Sequence, residues 1–164
     1  MKILDHKNIR QKITRLAIEI LENNYDEAEI ILIGINNRGL QIATLIMEAL
    51  KQLNAPPITL TRIRLNPAAP LGSEITLEMP VQELDQKTII IVDDVANTGR
   101  TMFYACKPLM EILPKKLETA VLVDRQHKSF PVKVDYVGLS LATTLRENID
   151  VQIQDGGEIA AHLD

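Results

Sequence analysis

Apolar residues along this chain recur with two periods. From Asn8 to Glu22, Ile9, Ile13, Leu16, Ala17, Ile20 and Leu21 fall on one face at helical spacing. Leu40, Ala43, Ile46, Ala49, Leu50 and Leu53 repeat that spacing and predict a second helix. Between them Glu29 to Ile33 is a short β-branched run and predicts a strand. Pro57 to Arg64 alternates, with Thr59, Thr61 and Ile63 on one side and Leu60, Arg62 and Arg64 on the other. Asn66 to Ser73 carries turn chemistry, and Glu74 to Met79 alternates again. Together these predict a hairpin-like excursion with a mobile tip, either a flap over a ligand or a plain surface hairpin. Ile89 to Val92 is wholly β-branched, as a strand buried on both faces should be. Thr101 to Leu113 predicts a third helix, stopped near Pro114. Thr119 to Val123, Val134 to Val137 and Val151 to Ile153 predict further strands, and the residues from Gly156 a last turn or frayed helix.

Strands alternating with helices predict an α/β class, a mainly parallel sheet flanked by helices, in one domain spanning 1–164. Ligands of such sheets sit beyond the carboxyl ends of the strands. The polar loops after Ile33, Val92 and Val123 should therefore converge on one crevice. The loop after Val92 carries the most chemistry. Asp93 and Asp94 end a buried strand, and unpaired buried charge is costly, so a cation or a hydroxyl-rich ligand is expected there. Thr98, Gly99, Arg100 and Thr101 follow at the predicted helix start. Gly99 admits close approach, free N–H groups favour a dianionic phosphate, and the two threonine hydroxyls add donors. Asp93 and Asp94 suit ribose hydroxyls or a Mg²⁺ with its water shell. A sugar phosphate carries both kinds of group. Gly34 to Gly39 offers amides and the Arg38 guanidinium, and reads either as another anion site or as an ordinary strand-to-helix turn.

Composition narrows the setting. The chain has 164 residues, 46% of them apolar, and a net charge of −4. That is enough to build a core and argues against disorder. It argues against whole-surface nucleic-acid binding but leaves a local basic patch open. Arg10, Lys12 and Arg15 lie off the apolar stripe of the first helix, as a solvated face or a docking surface for a polyanion. No apolar run approaches the roughly 20 residues of a membrane span. Met1 to Asp5 does not read as a signal peptide, and the single Cys106 has no partner for an internal disulfide. A cytoplasmic location without a membrane partner is expected. His6 and His162 have no partner at metal-ligand spacing, and His127 is either a polar loop residue or a contact for substrate or RNA.

Other strand-plus-acid proteins fit less well. The phosphate loop of nucleotide triphosphatases needs Gly-x-x-x-x-Gly-Lys-Ser/Thr, and Gly34 to Gly39 is followed by Leu40. A dinucleotide fingerprint is absent. A phosphorelay receiver can begin Ile-Ile-Val-Asp-Asp, but most of its domain follows the acids, and here only residues 95–164 remain.

The run from Ile90 to Thr101, Ile-Ile-Val-Asp-Asp-Val-Ala-Asn-Thr-Gly-Arg-Thr, resembles the phosphoribosyl pyrophosphate (PRPP) motif of type I phosphoribosyltransferases. Within that family the chain is most similar to the pyrimidine-operon attenuators, which often also have uracil phosphoribosyltransferase activity. The similarity extends over Ile3 to Asp5, Arg10 to Asn23, Gly34 to Gly39, Ile58 to Leu60 with Arg62, Ala120 to Arg125 with His127 and Pro131, and Asp135 to Gly138. It implies the type I fold with a small hood and a flexible loop. It implies that Asp93 and Asp94 hold the ribose hydroxyls and hydrated Mg²⁺, and that Ala96, Asn97, Thr98, Gly99, Arg100 and Thr101 wrap the 5′-phosphate. Asn36, Asn37, Arg38 and Gly39 would form the pyrophosphate loop, which in this family often contains a non-proline cis peptide. Arg62 and the following loop would close over the pyrophosphate. Asp135 to Leu139 would line the hood, with Val137 and Gly138 as base contacts. Arg38, Arg62, Asp93 and Asp94 are thus the expected catalytic set.

Departures from the attenuator pattern bear on the finer assignment. Ile63 and Arg64 stand where the attenuators have two acids, and Asn97 stands where they have Tyr and purine enzymes Asp. Asn cannot act as a carboxylate base. Leu139 and Ala142 replace a Lys and a Pro, and the tail after Arg146 is acidic, with Glu147, Asp150, Asp155, Glu158 and Asp164. Purine enzymes commonly place Lys at the position of Asp124, so the acid favours uracil; otherwise Asp124 simply pairs with Arg125 or Arg100. The expected function is transfer of the phosphoribosyl group of PRPP to uracil, with an RNA-binding regulator of pyrimidine genes or a purine phosphoribosyltransferase as alternatives. The expected partners are PRPP, a nucleobase or nucleoside monophosphate, possible RNA, and a second copy of the chain.

Overall fold

A computed structural model of the protein describes residues 1–142, 147–154 and 156–164. Two sheets organise it. The larger is built from β2 (Ile30–Ile35), β3 (Ile58–Arg64), β4 (Thr76–Leu77), β5 (Thr88–Ala96), β6 (Lys116–Arg125) and β7 (Tyr136–Leu141). Their order is β4-β3-β2-β5-β6-β7, parallel except for the short return strand β4. β1 (Lys2–Leu4), β8 (Ile149–Ile153) and β9 (Ile159–Leu163) form a separate antiparallel sheet in the order β1-β9-β8.

The expected α/β class holds, with helices on both faces of a mainly parallel sheet. Strands β2 and β5 need apolar residues on both sides because they are central. Ile30, Leu32, Ile90 and Val92 face α1 (His6–Asn24) and α2 (Asn36–Gln52), which bring Ile9, Ile13, Leu16, Ile20, Ile42, Ile46 and Leu50. Ile31, Ile33, Ile89 and Ile91 face the other way, toward Ile63, Leu84, Met102 and Leu109. The Asp5 side chain caps α1, accepting from the Asn8 amide at 2.8 Å while Asn8 reaches back.

Four expected elements change. The third helix, α3, covers only Arg100–Ala105, and the chain then tightens into a 3₁₀ turn over Lys107–Glu111. Pro108 explains this, because it offers no N–H and its ring clashes with a preceding helical carbonyl. Residues after Gly156 form β9 instead of a frayed helix, because both β1 and β8 pair with them. The strand expected at Val134 begins at Tyr136, since the stretch before it is tied to Thr119 through Lys133 and Asp135. Of the alternating run Glu74–Met79, Thr76 and Leu77 form the strand that pairs with Ile63 and Arg64.

Candidate active site

The carboxyl ends of β2, β3 and β5 open onto a cavity of about 580 Å³. Asn36, Asn37, Arg38, Asp93, Asp94, Asn97 and Thr101 line it. Two turns that are far apart in sequence therefore meet there. That volume lies in the range of small-molecule sites.

On one side α2 starts immediately after β2. What reads as a polar loop is the last two residues of the strand and the first helical turn. Asn36 takes a positive φ of 54°, which Asn tolerates better than most side chains. Its side chain clasps Leu65, donating to the carbonyl at 2.9 Å and accepting from the amide at 3.0 Å. The described residues hold no cis peptide bond, so the cis linkage expected in this turn is absent and the turn is closed by that clasp. A Cβ on Gly39 would sit 2.6 Å from the Val92 carbonyl oxygen, so Gly39 lets α2 press against the end of β5, close to Asp93. Arg38 reaches 2.7 Å to Asp150 and 3.8 Å to Asp94. The Asp150 hydrogen bond and charge raise the Arg38 pKa further above its ordinary value.

On the other side Asp93 is buried, and its carboxylate accepts the Asp94 amide at 2.9 Å. Burial, followed by the neighbouring Asp94 charge, pushes the Asp93 carboxyl well above the usual carboxylate range. Residues 97–99 lie outside any strand or helix, and among the described residues the amides of Asn97, Thr98 and Gly99 donate to nothing. Gly99 holds φ at 87°. These groups, with Arg100 and Thr101, frame a smaller hollow of about 50 Å³ against Asp93. Because α3 has six residues, its macrodipole adds little, and the loop amides and hydroxyls are the donors for an anion. The loop is pinned from behind: Ser129 and Phe130 donate to the Thr98 carbonyl at 2.9 and 3.2 Å. Arg100 donates to the Pro67 carbonyl at 2.6 Å, tying the tip of the β3–β4 excursion to this loop.

Other expected site residues lie apart. Arg62 faces Glu78 and Asn37 and is absent from the cavity lining, whereas Arg64, two residues on, lines it. Val137 and Gly138 lie on the edge strand β7. Val137 packs in the core on the α3 face, and the Gly138 carbonyl accepts from Arg15 at 2.8 Å. A Cβ on Gly138 would come within 2.4 Å of the Leu122 carbonyl oxygen, so close packing of β7 on β6 accounts for this glycine. Asp124 pairs with Lys128 at 2.6 Å, with neither Arg125 nor Arg100 as its partner. Arg125 is buried and donates to the Glu147 carbonyl. The segment over the cavity is β8, with Ile149 in the lining and Asp150 on Arg38. Alternation on β3 with an acid just beyond the return strand could have pointed to Arg64. Nothing local marks Ile149 or Asp150, and Arg146 and Asp155 lie outside the described residues.

In chemical terms the cavity offers two carboxylates at its floor, bare amides and hydroxyls at one end, and guanidiniums at the other. A sequence profile of the phosphoribosyl transferase domain matches residues 1–155 of this chain. The chain belongs to the phosphoribosyltransferase family. The enzyme is 35% identical over 163 residues to the Bifunctional protein PyrR of Bacillus velezensis, a match that covers 93% of this chain and 90% of the relative. It is 34% identical over 163 residues to the Bifunctional protein PyrR of Bacillus subtilis, with the same coverage of 93% and 90%. Among solved structures, the hypoxanthine phosphoribosyltransferase of Trypanosoma cruzi matches with a TM-score of 0.76 at 19% identity, covering 98% of this chain and 95% of that one. A hypoxanthine-guanine phosphoribosyltransferase of Bacillus anthracis matches at 0.71 and 20% identity, over 85% and 81% of the two chains. At such identities the likeness carries the fold. The resemblance read from Ile90 to Thr101 is thus borne out, and the protein is a phosphoribosyltransferase of the type I fold. Among the described residues no helix is long and apolar enough to cross a membrane.

Proposed function

We propose that the protein transfers the phosphoribosyl group of PRPP to uracil, giving UMP and pyrophosphate. One observation carries this reading: Asp93, Asp94 and the Asn36–Arg38 turn line one cavity, and the 97–101 loop frames a hollow that adjoins it at Asp93, Asn97 and Thr101. The loop amides and the hydroxyls of Thr98 and Thr101 hold the 5′-phosphate. Asp93 and Asp94 accept from the ribose hydroxyls, and the β2–α2 turn with its guanidinium takes the pyrophosphate. The bond from the ribose carbon to pyrophosphate breaks as the bond to the base nitrogen forms, and the base gives up its N–H proton. Positive charge develops on the sugar, so catalysis is mainly placement and electrostatic stabilisation of the leaving anion. Asn97 supplies no carboxylate to take the proton, which passes to solvent water.

The donor set also fits Mg²⁺. Two adjacent carboxylates, one of them buried and in no direct ion pair among the described residues, are hard oxygen ligands too few for an all-protein cage; among the described residues no cluster of three or more ligating side chains occurs. A Mg²⁺ that keeps several waters and takes oxygens from substrate suits such a pair. Bound there, it would offset the charge of the leaving pyrophosphate.

The choice of uracil is supported by the pyrimidine-attenuator resemblance, whereas Asp124, paired with Lys128 away from the cavity lining, adds nothing to it. Incubating the protein with PRPP, Mg²⁺ and each nucleobase in turn should yield UMP from uracil. Turnover of guanine or hypoxanthine with none of uracil would replace it with the purine reading. A second activity, RNA binding, is favoured by Lys7, Arg10 and Lys12 on α1, whose side chains make no hydrogen bond or ion pair among the described residues. Binding to pyrimidine leader RNA should weaken steeply with salt, and salt-insensitive or absent binding rejects it.

A further inference from the structure

Two arginines on β3 exchange the roles that their sequence positions suggest. Arg62 and Arg64 are two residues apart on a strand and so project from one face. Glu78, just beyond the return strand β4, meets both. Its carboxylate accepts from Arg62 Nε and Nη2 at 2.8 Å each, and from Arg64 Nε at 2.7 Å. Arg62 spends its remaining nitrogen on Asn37 Oδ1 at 2.5 Å. Its side chain is 17% exposed and does not line the cavity. Arg64 is 53% exposed and lines the cavity beside Asn37, Arg38 and Pro67. Among the described residues its Nη1 and Nη2 have no partner.

The strand order says which end of a ligand Arg64 would meet. β3 pairs with β2 in parallel, Gly34 opposite Arg62 and Ile35 opposite Ile63, so Arg64 stands level with the Asn36–Arg38 turn. The phosphate hollow at 97–101 follows β5, on the other side of β2. A guanidinium with two free N–H groups in one plane matches two oxygens of a phosphate. Arg38 stands on the same cavity with Nη1 committed to Asp150, so the two guanidiniums together frame a highly charged anion.

We propose that Arg64 contacts the diphosphate group of PRPP and of the pyrophosphate product, and that Arg62 is a positioning residue that holds Asn37 in the turn. Glu78 orients both, steering the free edge of Arg64 into the cavity. This assignment rests on the phosphoribosyltransferase reading of the cavity and names the residue that takes one part of that substrate.

Calorimetric titration of the full chain with Mg²⁺–PRPP, Mg²⁺–pyrophosphate and UMP tests it, since UMP has the 5′-phosphate and ribose but no diphosphate. Arg64→Gln should weaken PRPP and pyrophosphate by about 10- to 100-fold, the size of a charged hydrogen-bond pair, and leave UMP unchanged. In turnover, KM for PRPP should rise while KM for the base stays constant. Arg64→Lys should recover part of the loss, keeping the charge without the planar fork. If Arg62 works through Asn37, the losses from Arg62→Gln and Asn37→Ala should be non-additive in the double variant. Wild-type affinity for PRPP in Arg64→Gln, or an equal loss for UMP, overturns the role given to Arg64. Additive losses overturn the role given to Arg62. Wild-type protein that binds neither PRPP nor UMP overturns the reading of the cavity itself and this assignment with it.

Discussion

Asp93 illustrates at the scale of one residue how a binding site is carried at the expense of the fold. Its carboxyl is buried beside a second acid, and both facts favour its neutral form. A carboxyl with a folded pKa above its unfolded value holds its proton more tightly in the native state. Stability from this group is therefore greatest at low pH. It falls as pH rises from the unfolded value of about 3.9 through the raised folded value. Ionising this side chain without Mg²⁺ is therefore a net cost to the fold. Asp93→Asn keeps the oxygen that accepts the Asp94 amide and removes the charge. Urea unfolding at pH 7 without Mg²⁺ should show the variant more stable by on the order of 1–2 kcal/mol. The same variant combined with Asp94→Asn should lose Mg²⁺–PRPP binding in a titration. A less stable Asp93→Asn, or undiminished PRPP affinity in the pair, would contradict this placement of the carboxylates.

Among the elements, α1 shows local sequence setting local structure and α3 shows it being cut short. The Asp5–Asn8 capping box satisfies amides at the start of α1 that have no partner within the helix. Asp5→Ala should lower stability by about 1 kcal/mol, seen as a shifted denaturant midpoint with an unchanged slope. In α3 the apolar spacing continues through Leu109 and Leu113, but Pro108 stops the helix at Ala105. The return of the excursion after β3 is clamped to the strand by Glu78. The two arginines hold the Glu78 carboxyl down to about 2, Arg62 acting most strongly. The clamp is therefore charged across the neutral and mildly acidic range and is lost only as pH falls through that value.

For the molecule as a whole, the small sheet couples distant parts of the chain to the cavity. β9 is its central strand, pairing with β1 on one side and β8 on the other. β8 in turn supplies Asp150 to Arg38, across 112 positions of sequence. Gln152 and then Arg38 hold the Asp150 carboxyl below its ordinary range, so this bridge is charged at neutral pH. Removing residues 159–164 should expose the apolar residues that β9 covers, including Leu4 and Val151, and cost at least about 3 kcal/mol. A urea midpoint unchanged by the truncation would show that the small sheet is not part of the cooperative unit.

By itself the sequence determined the central strands, two helices, the acid pair at the end of β5 and the family. All of these depend on contiguous residues: β-branched runs, helical spacing, and one twelve-residue stretch whose chemistry is local. The Asn36–Arg38 turn was likewise marked by its place between a strand and a helix. Tertiary structure decided what no neighbouring residues encode. The segment after Gly156 is a strand because β1 and β8 supply its hydrogen bonds, and its own pattern is too short to declare a period. Val137 and Gly138 face the core and Arg15 because β7 is the sheet edge, a position fixed only once six strands are ordered. The division of labour between Arg62 and Arg64 depends on where Glu78 returns beside β3. That return sets the direction of two guanidiniums that the alternating pattern leaves equivalent.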